Sequence, residues 1–126
     1  MVWLAVAVGG AIGSVARHAV NIVFGHVLER SVPYATATVN LVGAFVIGVL
    51  AGLIAAGRLQ MTAFARTFVF VGVLGGFTTF SSFMLDTLTV GHGGDHALAF
   101  WNVVGQTALG LVAVWAGYHA GVFRLE

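Results

Sequence analysis

Apolar runs of membrane-spanning length fill most of the chain, and the polar residues between them come in short clusters. A helix needs roughly 20 residues to cross a bilayer. The pattern predicts four spans, at about 2–24, 34–56, 64–88 and 97–122. Short connections separate them: Gly25 to Ser31, Gly57 to Gln60, and the glycine-rich Gly91 to His96. Pro33 stands where a helix can begin. Small residues recur inside the spans at Gly9 and Gly13, at Ala44, Gly48 and Gly52, and at Gly117 and Gly121. Such spacing lets helix backbones approach closely in lipid.

One segment departs from this pattern. Gly72 to Phe83 reads GVLGGFTTFSSF inside the third span. Lipid offers no water to a broken backbone, so a break at Gly75 and Gly76 must be buried in protein or line a polar cavity. The bland alternative is a glycine pair used for packing. The hydroxyls of Thr78, Thr79, Ser81 and Ser82 favour a functional break. Carbonyls freed at an unwound turn can ligate a hard cation, and the helix that restarts offers its positive end to an anion.

Other polar and aromatic positions have two readings each. Phe80 and Phe83, three apart, are either ordinary lipid-facing or core rings, or they aim positive ring edges at a dehydrated anion. Asn40, preceded by Thr36 and Thr38, either joins two helices or donates its amide N–H to an anion. Arg17 either snorkels to the interface or draws anions to a pore mouth. Asn102, Gln106 and Thr107 form a polar stripe on the fourth span, open to both interhelical bonding and a role in a path.

Composition narrows the class. Of 126 residues, 60% are hydrophobic and 7% charged, against about 25% charged in soluble domains. The expectation is an all-α integral membrane protein with no separate domain for enzymatic chemistry. Five arginines, no lysine and four acids give no basic cluster for a nucleic acid. The absence of cysteine excludes disulfides and thiolate metal sites. The apolar start at Val2 lacks a basic region and runs into the first span, so it does not read as a cleaved signal peptide.

Arg58, Arg66 and Arg124 fall on one expected side and Arg30, with or without Arg17, on the other. So small a bias fits insertion in both orientations and antiparallel pairing; the alternative is a fixed orientation with both termini inside. Among the acids, Glu29, Asp86, Asp95 and Glu126, only Asp86 falls within a span. The remaining polar inventory donates hydrogen bonds without negative charge, which suits an anion. His92, Asp95 and His96 read as a solvated loop rather than a metal chelate.

The motifs GGAIGSVAR, PYATATVNLVGAFVIG and GGFTTFSSF, in that order along the whole chain, resemble the Fluc (CrcB) family of fluoride channels. Asp86 follows the third motif where the family has glutamate, Ala35 stands for a usual glycine, and Ser82 for threonine. The resemblance implies an antiparallel, dual-topology homodimer with two pores, exporting fluoride passively across a cell inner membrane and lowering its toxicity. It implies Na+ on the dimer axis, held by backbone carbonyls of Gly75 and Thr78. By motif position Phe80, Phe83 and Asn40 line the path, Thr79, Ser81 and Thr38 lie along it, and Arg17 stands in the vestibule. The fourth helix often carries serines where this chain has Asn102 and Gln106; Gln106 is taken as its contribution to the path.

Two rival readings make different demands. A four-span multidrug exporter needs a membrane carboxylate in its substrate path, and the first span has none. A subunit with only a structural role gains little from hydroxyls around a broken helix.

Overall fold

The computed structural model describes residues 1–27 and 33–123. Helix α1 is Val2–Val27 and α2 is Tyr34–Ala55. The third span, Ala63–His92, has two parts. The first, α3 (63–77), opens α-helical, passes through a π-helical run at Thr67–Leu74 and closes with Gly75–Phe77. The second, α4, is Phe80–His92, and α5 is His96–Val122. Among the described residues, four helices are thus long and apolar enough to cross a membrane. Glu29, Arg30 and Ser31 of the first connection, and Arg124 and Glu126, lie outside the described residues.

Pro33 starts α2 without a side-chain cap, whereas polar side chains start α3 and α5. Thr62 Oγ1 accepts from Ala65 N–H at 3.1 Å to cap α3, and Asp95 Oδ1 accepts from Leu98 N–H at 2.9 Å to cap α5. The glycine-rich connection is therefore shorter than the sequence suggests. Gly91 and His92 stay helical, and the reversal is confined to Gly93, Gly94 and Asp95. Gly94 takes φ +92°, a conformation that residues with a Cβ rarely adopt.

The spans associate as two parallel pairs, α1 with α3 and α2 with α5, and α4 also packs against α5. Glycine makes both pairings possible. A Cβ on Gly9 would lie 2.6 Å from the Phe68 carbonyl oxygen, and one on Gly76 2.6 Å from that of Gly10. In the second pair, a Cβ on Gly121 would lie 2.7 Å from the Leu53 nitrogen. Gly48, Gly52 and Gly117 are equally crowded by the backbone of the facing helix. These are the small-residue rows expected from the sequence, and they hold the bundle by close backbone approach.

Few large side chains lie inside. Val39, Leu74 and Phe83 are buried with Ala5 and Ala35, while Trp3, Leu111 and Trp115 point outward. Such an outer face has the polarity of lipid tails, not water.

The interruption of the third span is displaced from its expected position. Gly75 and Gly76 are helical, and the chain leaves the helix at Thr78 (ψ 160°) and Thr79 (φ −154°, ψ 124°). The reason is packing: Gly76 is needed as a helical residue against Gly10. Gly76 thus brings α1 to the break instead of forming it.

Candidate functional site

The break at Thr78 and Thr79 frees backbone groups that a continuous helix would pair, and side chains of α1 and α2 take them up, with one from α5 behind them. In an unbroken helix Thr79 N–H would return to the Gly75 carbonyl. Here it donates to Asn40 Oδ1 at 2.8 Å. Asn40 Nδ2 donates to the Thr79 carbonyl at 3.0 Å and to Gln106 Oε1 at 2.9 Å. The Thr78 carbonyl accepts from Arg17 Nη1 at 3.4 Å. Thus α1, α2 and α5 all reach the same interruption. Gly43 on α2 is what lets Thr78 come so close, since a Cβ there would collide with the Thr78 methyl group.

Thr79 also restarts the helix. Its Oγ1 accepts from Ser82 N–H at 3.2 Å, capping α4, and lies 3.1 Å from Ser82 Oγ and 3.4 Å from Ser81 Oγ. The positive end of α4 is consequently aimed at the break. Part of the hydroxyl cluster that marked this segment in the sequence is spent on that cap.

Two clefts flank the break and share Asn40 and Thr78. One, about 220 Å³, is lined by Asn40, Thr78, Thr79, Phe80 and Phe83. The other, about 300 Å³, reaches along α2 and α3 past Ala44, Phe70 and Gly75. Among the described residues, no carboxylate lines either one. The two phenylalanines meet edge to face, with centroids 6.0 Å apart and planes at 73°. They differ in burial: Phe83 is 7% exposed and Phe80 73%. Phe83 is therefore a core ring with one side on the cleft, while Phe80 projects from the chain.

The structure brings most of the expected residues together. Arg17, Asn40, Thr78, Thr79, Phe80 and Phe83 surround the break, with Gly75 one turn before it and exposed. Ser81 is exposed beside Thr79. Thr38 stands apart: its hydroxyl donates to the Tyr34 carbonyl at 2.9 Å within α2, and it lines neither cleft. Gln106 is buried and reaches the site through Asn40. Both N–H groups of the Asn40 amide are engaged, so the free donor that the sequence suggested is committed to protein oxygens here.

Sequence reasoning missed two connections. The Thr36 hydroxyl donates to Asp86 Oδ2, joining α2 to α4. Asn102 Nδ2 donates to Thr87 Oγ1 at 2.8 Å, and Gln106 Nε2 to Asn102 Oδ1 at 2.8 Å. The signal for the second was present, because buried amides at i, i+4 on an apolar helix must find partners. Thr87, one of two threonines on its helix, carried no mark of its own.

Comparison with known proteins gives a consistent result. Residues 4–118 match the family model described as CrcB-like protein, Camphor Resistance (CrcB). A protein of Opitutus terrae named "Fluoride-specific ion channel FluC" is 49% identical over 121 residues, covering 95% of this chain and 92% of its own. Proteins of the same name from Paramagnetospirillum magneticum and Paracoccus denitrificans are 44% and 45% identical. The first alignment covers 91% of both chains, the second 94% of this chain and 93% of the relative. These relatives are named as ion channels, not enzymes. With four spans in the structure and a family match over nearly its full length, the chain is a multi-pass integral membrane protein that belongs to the CrcB family.

Proposed function

We propose that this protein is a fluoride-selective channel whose path runs along the break in the third span. The observation that carries the reading is the cleft of Asn40, Thr78, Thr79, Phe80 and Phe83 at the positive end of α4, free of carboxylates among the described residues. Fluoride is small and strongly hydrated, so a pore must replace its water with closely spaced donors that do not hold it too tightly. Ring edges supply such donors, and the Thr78 and Thr79 hydroxyls would do so in exchange for the Leu74 carbonyl and the Ser82 hydroxyl that they meet here. Asn40 holds the backbone that presents them, and an anion taking an Asn40 N–H would do so in exchange for the Thr79 or Gln106 oxygen. Arg17, half-buried at the Thr78 carbonyl, adds positive charge on the approach.

The cleft is open on one side, and Phe80 projects beyond the chain. A second copy, inserted in the opposite orientation, would close it and give two equivalent paths per dimer. Export is passive: fluoride accumulated in the cytoplasm leaves down its electrochemical gradient across the inner membrane, which lowers its toxicity. The donor set at the break also fits a hard cation. With Thr79 N–H given to Asn40, the Gly75 carbonyl has lost its helical donor on an exposed face. Gly75 and Thr78 carbonyls would hold Na+ on the dimer axis, where its fixed charge lowers the barrier to an anion.

The test is efflux from liposomes containing the purified protein, read with a fluoride electrode and with chloride as the control. Wild type should release fluoride with little chloride, and Phe80→Ile and Asn40→Ala should lose at least about 90% of the rate, as removal of positioned donors predicts. A folded wild-type protein that releases no fluoride would overturn the reading.

A further inference from the structure

A chain of four hydrogen bonds starts at Asn40 and runs in one direction. Asn40 Nδ2 donates to Gln106 Oε1, Gln106 Nε2 to Asn102 Oδ1, Asn102 Nδ2 to Thr87 Oγ1, and the Thr87 hydroxyl to the Phe83 carbonyl. The distances are 2.9, 2.8, 2.8 and 2.8 Å. Gln106 and Asn102 are 9% and 6% exposed, and the chain crosses from α2 through α5 to α4. It begins at the break and ends on the backbone of the ring that lines the cleft.

The direction has a consequence. A primary amide can be turned over, exchanging its donor and acceptor ends. The Thr87 hydroxyl has one proton, and the carbonyl one turn back takes it. What Thr87 offers α5 is a lone pair, so Asn102 must turn its N–H toward Thr87 and its oxygen toward Gln106. Gln106 must then present its own oxygen to Asn40. Asn40 answers with N–H, which leaves its oxygen facing Thr79 N–H. Reversing any one amide sets two donors or two acceptors against each other, at a cost that low-dielectric surroundings raise.

We propose that Thr87, Asn102 and Gln106 are positioning residues that fix which way the Asn40 amide faces and so hold the broken backbone in its conducting geometry. In this role Gln106 acts on the path through Asn40 instead of lining it. The proposal rests on the channel reading only for its consequence on flux. Its structural content concerns the Asn40 amide and can be read without fluoride.

The experiment uses the full ¹⁵N-labelled chain in lipid nanodiscs. The side-chain amide signal of Asn40 is identified by its loss in Asn40→Ala. Thr87→Val keeps the shape and removes the acceptor; Thr87→Ser restores the hydroxyl. The Asn40 signal should shift in Thr87→Val and return in Thr87→Ser. Fluoride efflux should fall about tenfold or more and recover in parallel, since a buried donor left unpaired is costly. Asn102→Leu, which strips Gln106 Nε2 of its acceptor, is the second variant and should act alike if Thr87→Val does not fold. An Asn40 signal unmoved in a folded variant overturns the proposal, as does a shifted signal with unchanged efflux. A wild type with no efflux whose Asn40 signal still follows the Thr87 hydroxyl overturns the channel reading and supports the amide assignment.

Discussion

The α2–α5 seam is built by opposite means in its two halves. Where the helices begin, Asn40 bonds Gln106 across the seam, with Thr36 and Asn102 turned to partners on α4. Where they end, Gly48, Gly52, Gly117 and Gly121 bring backbone against backbone. Dispersion between close backbones sets how near the helices lie but not which way any polar group points. Hydrogen bonds are directional, and in lipid their alternative is an unsatisfied group. The glycine half is thus an anchor, and the amide half holds an arrangement. That division explains how a rigid bundle carries a broken helix without losing its shape.

Gly121→Val should have the largest effect on the seam. Its added carbons would meet the backbone of α2, which cannot yield as a flexible side chain would. Overpacking of this kind costs about 3 kcal/mol or more. The expected outcome is loss of the monodisperse folded species in size-exclusion chromatography, with no folded fraction left to assay. A folded, conducting variant would show that the seam is not the anchor. A smaller effect sharpens the other half. Thr36→Val removes the donor to Asp86 Oδ2. The expected loss is about 1 kcal/mol, the order of an interhelical hydrogen bond in a bilayer. Thermal unfolding in detergent should show a lower midpoint for Thr36→Val, restored by Thr36→Ser.

The glycine half was legible in the sequence and the amide half only in part, for a physical reason. Close packing in lipid demands small residues at fixed spacing, so Gly48 and Gly52, or Gly117 and Gly121, announce their face without knowledge of the partner. The polar residues announce only that each needs a partner. Asn40, Asn102 and Gln106 stood out, yet which oxygen each would meet depends on the packing of α4 against α5, which spacing along one helix does not contain. The break shows the same limit. GGFTTFSSF marked its neighbourhood, but the backbone opens at the threonines because Asn40 and Arg17 reach Thr79 and Thr78 there. Glycine's permissiveness pointed three residues too early, since Gly76 is used for contact with α1.

The weakest test examines whether the glycine half depends on charge at all. Arg58, just beyond α2, donates from Nη1 to the Gly121 carbonyl at 3.3 Å and the Phe123 carbonyl at 3.0 Å. These oxygens sit at the negative end of α5, where a cation is favourable. Arg58 is exposed, so Arg58→Ala should cost only about 0.5 kcal/mol. Salt separates this contribution from packing: the midpoint difference between wild type and Arg58→Ala should shrink as ionic strength rises toward about 1 M, where screening reaches within a few ångströms. A difference that persists unchanged in high salt would mean that the arginine acts through its apolar stem on the cavity beside Val49 and Leu53. The anchor would then be packing alone to its last turn, and directional polar bonds would be confined to the half that carries the break.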